Sequence, residues 1–234
     1  MNKYFKLLKC ISNPVFIKSY IRKVSPLFEL EPILKNIKEL NSIIDIGSNK
    51  GQFVILAKKY FPYSQIYSFE PQKKYLKIQK KILGGNKIKY FNFGLGNKKG
   101  EMNFYITTRE DSSSFLKPSI YDEKKYKVKS IKKIKIDTLD NILDLESLTK
   151  PTLIKLDVQG YELETLKGSK KTLDYVDYII TEVSYQKTYD KQVDKADLIK
   201  FLKKNNFFEY MIVNKTYLNN NLFQSDILYK KFKK

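Results

Sequence analysis

The chain contains no histidine and a single cysteine, Cys10. Without histidine, Ser-His-Asp and Cys-His nucleophilic catalysis lack their base, and a Cys/His zinc site lacks its ligands. One thiol cannot close an internal disulfide, which fits a reducing compartment. Long apolar runs are also missing: none approaches the roughly 18 residues needed to cross a bilayer. The N-terminus is basic but has neither a long apolar centre nor a small-residue cleavage site, so a signal peptide is not expected and a cytoplasmic location is. Arginine clusters are absent as well. The net charge of +20 comes almost entirely from lysines scattered along the chain. Such a charge suits nucleic acid or an anionic membrane surface, but the scatter favours a composition effect. Nucleic acid is therefore the less expected partner.

What is present is enough for one α/β domain: 234 residues, 42% of them hydrophobic, can bury a proper core. The stretch Ser42-Ile-Ile-Asp-Ile-Gly-Ser-Asn-Lys-Gly51 reads as strand, glycine turn and helix start, followed by the helical pattern Phe53, Val54, Leu56, Ala57, Tyr60, Phe61. The turn lacks the middle glycine of the dinucleotide fingerprint, and Gly51 is followed by Gln52 rather than the Lys of a phosphate loop. The N–H groups at the helix start would be free to face a polar ligand group. Asp45, an acid just before the first glycine, suits a cofactor with a cationic amino group and no phosphate, as in S-adenosyl-L-methionine. Glu70 ends the second strand, roughly 20 residues past the turn, where an acid holds ribose hydroxyls. An acid in an apolar strand is costly without a partner, and such a cofactor supplies partners for both.

The motifs Asp45-Ile-Gly-Ser-Asn-Lys-Gly51, Phe69-Glu-Pro71, Phe93-Gly-Leu-Gly96, Ile136-Asp-Thr-Leu-Asp140, Ile154-Lys-Leu-Asp-Val-Gln-Gly160 and Glu182-Val-Ser184 stand in an order that resembles the FkbM-type S-adenosylmethionine-dependent methyltransferases, over roughly residues 41 to 232. The resemblance implies a Rossmann-like class I methyltransferase fold: a mostly parallel seven-stranded sheet with helices on both faces and an antiparallel C-terminal strand. It also implies O-methylation of a hydroxyl on a saccharide or glycoconjugate precursor. Asp45, Gly47, Asn49, Gly51 and Glu70 are the candidate cofactor contacts. Two residues depart from the family pattern. Ser48 replaces alanine, expected to be a minor volume change. Gln159 replaces glutamate, removing a carboxylate beside the site.

Read in order, residues 1 to 40 form a basic extension in which Phe5, Leu8, Ile11 and Phe16 could line one helix face. Either it packs over the sheet edge, the favoured reading, or it touches a membrane or covers the substrate. The methyltransferase domain proper is placed at 41–234. Strands are expected at 42–46, 65–69 and 87–93, with helices at about 51–61 and 72–83, a spacing that implies a parallel sheet with right-handed crossovers. Residues 94 to 135 break the pattern and read as an antiparallel insertion with a mobile loop. The sheet resumes with strands at 152–157 and 176–183, a helix from Gly160 to about Leu173, a helix from Asp194, and a closing pair at 207–213 and 227–232.

Methyl transfer from a sulfonium is a direct displacement, so positioning supplies most of the help. A hydroxyl acceptor also gains roughly 10²–10⁴-fold from a placed base. Asp157, at the carboxyl end of the fourth strand, is the first candidate, although an Asp there also makes a helix cap. Tyr161, Glu182 and Ser113, from the polar stretch Ser112-Ser-Ser114, are candidate acceptor contacts. No metal is expected, though Asp157 with Glu182 could hold a divalent cation. Cytosine-carbon methylation is rejected, because Cys10 lies far from every motif. The D/N-P-P-Y signature of amino-methylating nucleic-acid enzymes is missing too. An RNA methyltransferase, prompted by charge, and a non-catalytic cofactor-binding or membrane-peripheral protein are the alternatives.

Overall fold

The computed structural model describes residues 13–85, 87–119 and 127–232. Its main sheet runs β3-β2-β1-β7-β8-β10-β9. The strands are β1 (Ser42–Ile46), β2 (Gln65–Phe69), β3 (Ile88–Phe91), β7 (Thr152–Leu156), β8 (Tyr178–Ser184), β9 (Phe207–Leu218) and β10 (Asn221–Lys231). The first five pair in parallel, and β10 runs antiparallel to both of its neighbours. Every residue of β1 and of β7 is buried. That is why these strands read as near-continuous apolar runs: a parallel sheet is covered on both faces.

Two cores form the two covers. On one face, Ile43, Leu153, Ile180 and Leu228 pack against α3 (Gln52–Tyr60) through Val54, Ile55 and Leu56. The same core takes in Phe16 from α1 (Pro14–Ile21) and Ile33 and Leu34 from α2 (Glu31–Lys35). Phe16 is fully buried, its ring 5.5 Å from Phe28 in an edge-on contact. On the other face, Ile44, Ile46, Leu156 and Ile179 meet α5 (Leu139–Ile142), α6 (Glu162–Lys167) and α7 (Lys195–Lys204). Phe5, Leu8 and Ile11, expected beside Phe16, lie outside the described residues, as does Cys10. Among the described residues, no helix is long and apolar enough to cross a membrane.

The insertion is a second sheet, β4-β6-β5, from β4 (Gly94–Leu95), β5 (Gly100–Thr107) and β6 (Val128–Asp137). Phe104, Ile106, Phe115, Ile136 and Tyr161 make its small core. The expected mobile loop is in part fixed. Ser114 pairs with Tyr105, Ser119 N donates to Thr188 O (2.9 Å) and Asp190 N donates to Lys117 O (2.8 Å); residues 120–126 lie outside the described residues.

Two boundaries differ from expectation. The helix expected from Gly160 to about Leu173 spans only Glu162–Lys167 and ends at Gly168, where a Cβ would stand 1.9 Å from the carbonyl oxygen of Gly96. Past that contact the chain turns, and the Asp140 carboxylate accepts from Lys171 N and Thr172 N (2.9 and 2.8 Å). The closing hairpin is longer than its apolar pattern suggests. Its two-residue turn is Asn219-Asn220, both left-handed (φ 49° and 63°). Asparagine tolerates that conformation, and tight hairpins require it.

Candidate functional site

The crossover after β1 leads to β2 and the one after β7 leads the other way, to β8, so a crevice opens beyond the carboxyl ends of β1 and β7. A cleft of about 1190 Å³, counting its open mouth, lies there. Among the residues lining it are Gly47, Asn49, Glu70, Ser113, Asp157 and Glu182, drawn from five segments of the chain. Three other candidates do not line it. Asp45 is fully buried, although its neighbours Ile46 and Gly47 are on the wall. Gly51 starts α3 in a left-handed conformation (φ 85°). Tyr161 belongs to the small core, its hydroxyl donating to the Met102 sulfur (3.3 Å) and its ring beside Phe115.

The glycine turn is built by close approach. A Cβ on Gly47 (φ 77°) would fall 1.9 Å from the Asp157 carbonyl oxygen, so only glycine lets β1 and β7 end side by side. The turn's own N–H groups are not free for a ligand. Gly47 and Ser48 donate to Phe69 O, Asn49 to Glu70 Oε2, Lys50 to Gln52 Oε1 and Gly51 to Ser48 O. Nor is Ser48 a mere volume change. Gln79, fully buried on α4 (Lys73–Leu83), donates to Ser48 Oγ (2.8 Å) and to Asn49 O (2.7 Å), and accepts from the Ser68 hydroxyl (2.7 Å). A sealed polar network thus ties the turn to β2 and α4, and such networks rigidify when fully satisfied.

Three buried acceptor atoms in this region have no hydrogen-bond partner among the described residues: both Asp45 carboxylate oxygens and Asn49 Oδ1. Burial pushes Asp45 up to about 7, opposed by Lys155. Glu70 is also pushed up to about 7 by burial, against the backbone N–H groups of Gln72 and Asn49. Those two bonds (2.7 and 2.9 Å) use one lone pair on each oxygen. A carboxylate offers about four acceptor positions, so two stay open for hydroxyl donors. Orphaned acceptors beside a cleft fit a ligand that brings donors and positive charge.

Beyond β7 the chemistry is ionic. Lys155, fully buried and opposite Asp45 in the strand register, donates to Asp157 Oδ2 (2.9 Å). Burial pulls its ammonium down, but Asp157 and Asp45 outweigh this and hold it above the ordinary lysine range. Burial alone would raise Asp157; Lys155 and Gln159 outweigh that and hold it below the usual carboxylate range. Asp157 caps no helix. Gln159 Nε2 donates to its other oxygen (2.7 Å), and Gln159 Oε1 lies 2.9 Å from the Tyr189 hydroxyl. A glutamate at position 159 would set a second carboxylate against Asp157; the amide joins Asp157 to Tyr189 instead. Gln159 is left-handed (φ 56°), and Glu162 Oε1 fixes its loop by accepting from Val158 N and Gly160 N (3.3 and 3.1 Å).

Glu182 faces the same end of the cleft. Its Oε1 accepts from Gln224 Nε2 (2.9 Å), and Asp226 is its register partner on β10. Burial, then Asp157, Asp226 and Glu162, push it well above the ordinary carboxylate range, against Lys155. Lys155, Gln224, Asp226 and Glu162 were not singled out in the sequence. For Lys155 the signal was there: a lone charge inside an apolar strand, the same mark that picks out Asp45. The others depend on strand pairing. Among the described residues, no group of three or more His, Cys, Asp or Glu is placed to hold a metal ion.

Strand order, the single antiparallel strand and a cleft at the β1/β7 switch define a class I S-adenosylmethionine-dependent methyltransferase. The model of the Methyltransferase FkbM domain matches residues 45–209, and the chain belongs to that family. Two relatives are similar to it. The 2-O-methyltransferase NoeI of Sinorhizobium fredii is 25% identical over 170 residues, 68% of this chain and 70% of that protein. The hexuronic acid methyltransferase AglP of Haloferax volcanii is 25% identical over 175 residues, 73% of this chain and 64% of AglP, just under two thirds of its length. Among solved structures, a Listeria monocytogenes protein proposed to be an S-adenosylmethionine dependent methyltransferase superposes with a TM-score of 0.51 at 11% identity, over 88% of this chain and 98% of that one. At that identity the likeness speaks for the fold.

Proposed function

We propose that this enzyme O-methylates a hydroxyl of a saccharide or glycoconjugate precursor, with Glu182 as the proton acceptor. The observation that carries this is the pair of cleft carboxylates held in opposite states. Asp157 is fixed to Lys155, while among the described residues no cation is bonded to Glu182 and none donates to its Oε2. The named activities of NoeI and AglP agree with a sugar hydroxyl. When bound, S-adenosylmethionine supplies an electrophilic methyl group. The Asp45 and Asn49 acceptor atoms suit its amino-acid end, and the open positions on Glu70 suit its ribose. The acceptor hydroxyl would donate to Glu182 Oε2, which would take its proton. Asp157, being the weaker base, orients the hydroxyl or a neighbouring one.

The test is methyl-label transfer onto an array of neutral and acidic oligosaccharides. Glu182→Gln should lower turnover about 10²–10³-fold, within the span of general-base catalysis, with S-adenosylhomocysteine affinity unchanged. The wild-type rate should rise with pH as Glu182 ionises, and the variant should lose that limb. A variant as active as wild type would remove Glu182 from this role, and an array with no labelled saccharide would remove the acceptor class.

A further inference from the structure

A second cavity, of about 1030 Å³ including open solvent, adjoins the cofactor cleft, and Pro71, Gln72 and Phe104 line both. Its floor is apolar: Phe104 and Ile106 of β5 beside Ile134 of β6. Its charge comes from two elements that meet across it. Lys73 and Lys74 start α4, and Lys129 and Lys132 lie on β6. Among the described residues, no acidic one lines it. Lys73, Lys129 and Lys132 make no ion pair with a described residue, whereas Lys59, Lys155, Lys167, Lys187 and Lys231 do. Ser130 and Asn92 add polar lining. Asn92 Nδ2 donates to the carbonyls of Glu70 and Pro71 (2.9 and 2.8 Å), so this wall is joined to the acid expected at the cofactor ribose.

We infer that this groove binds the anionic part of the acceptor, so that the substrate is a saccharide bearing phosphate or carboxylate groups. The inference rests on the saccharide reading above and narrows it. Lys73, Lys129 and Lys132 gather around one concavity without an ion-pair partner among the described residues, an anion between them would offset their mutual repulsion, and lysine serves anion recognition as a point charge. The apolar floor suits the carbon face of a sugar ring. The charge of the chain as a whole does not explain the arrangement, because scattered lysines need not converge on a cavity that opens into the active cleft.

The test is calorimetric titration of the S-adenosylhomocysteine-loaded protein with inorganic pyrophosphate, trigalacturonate and neutral maltotriose. The variants are Lys129→Ala/Lys132→Ala and, as a control of equal charge change on α7, Lys203→Ala/Lys204→Ala. Pyrophosphate or trigalacturonate should bind, maltotriose much more weakly, and the groove variant should raise Kd about tenfold while the control stays within about twofold. Pyrophosphate alone points to a phosphorylated acceptor, and trigalacturonate alone to a uronic one. Absence of anion binding, or equal weakening in both variants, overturns the inference. Robust methyl transfer to neutral saccharides with no anion binding would sink the groove and leave the saccharide reading standing. Anion binding with methyl transfer only to non-saccharides would do the reverse.

Discussion

Replacing Lys155 with methionine keeps the volume of the side chain and deletes the one buried cation among the described residues. In the wild type that ammonium stands 2.9 Å from Asp157 and interacts favourably with Asp45, Glu182 and Asp226. Removing one partner of a buried pair costs ~3–5 kcal/mol, since the other charge is left uncompensated. Asp157 keeps 33% of its side chain exposed, so solvent softens the loss toward ~3 kcal/mol. With a urea slope of about 3 kcal/mol per molar, the unfolding midpoint should fall by about 1 M. The loss should also depend on pH. Without Lys155, Asp45 and Asp157 titrate at higher pH in the folded chain than in the unfolded one. Acids raised in this way cost stability progressively as pH rises from the unfolded carboxylate range through the raised folded value. Lys155→Met should therefore be mild near pH 5 and severe near pH 8. Lys155→Arg, which keeps the charge, should recover part of the loss. A midpoint shift below about 0.2 M, or equal losses at pH 5 and pH 8, would refute the reasoning.

Other outcomes follow from the same contacts. Asp45, raised from 3.8 to about 7, should make the cofactor-free protein lose stability between pH 4 and 7. Asp45→Asn should flatten that slope, raise apo stability near pH 8 by up to about 4 kcal/mol and weaken S-adenosylhomocysteine binding in calorimetry; an unchanged affinity would detach Asp45 from the cofactor. Gln79→Leu removes the buried amide bonded to Ser48, Ser68 and the Asn49 carbonyl, so thermal unfolding should report a loss of ~1–3 kcal/mol. The same variant should bind S-adenosylhomocysteine more weakly than an equally destabilised core variant does; parity between the two would show that the network does not position the turn.

The sequence by itself determined the parallel strands and the glycine turn. Both leave local marks: mostly apolar runs of five residues, a glycine at 47, a lone acid at Asp45 inside one such run, and Glu70 just past the end of β2. The family followed from the order of such marks. Tertiary structure decided what those side chains meet. Gln79 looks like an ordinary helix residue until α4 lies against β2 and makes it the clamp of the turn. Lys155 and Asp157 are two residues apart, and neither shows from its neighbours that Lys155 is buried opposite Asp45, which is brought in by a pairing more than a hundred residues away in the chain. Glu182 has its carboxyl raised first by burial, then by Asp157 from the parallel neighbour and Asp226 across the antiparallel ladder. Tyr161 stands beside a sequence motif yet turns into the small core, because Phe115 and Met102 offer it an apolar site. Hydrophobic periodicity and turn chemistry are properties of neighbouring residues and survive in one dimension. Charge environment is set by burial and by distant residues, and it exists only once the chain has closed.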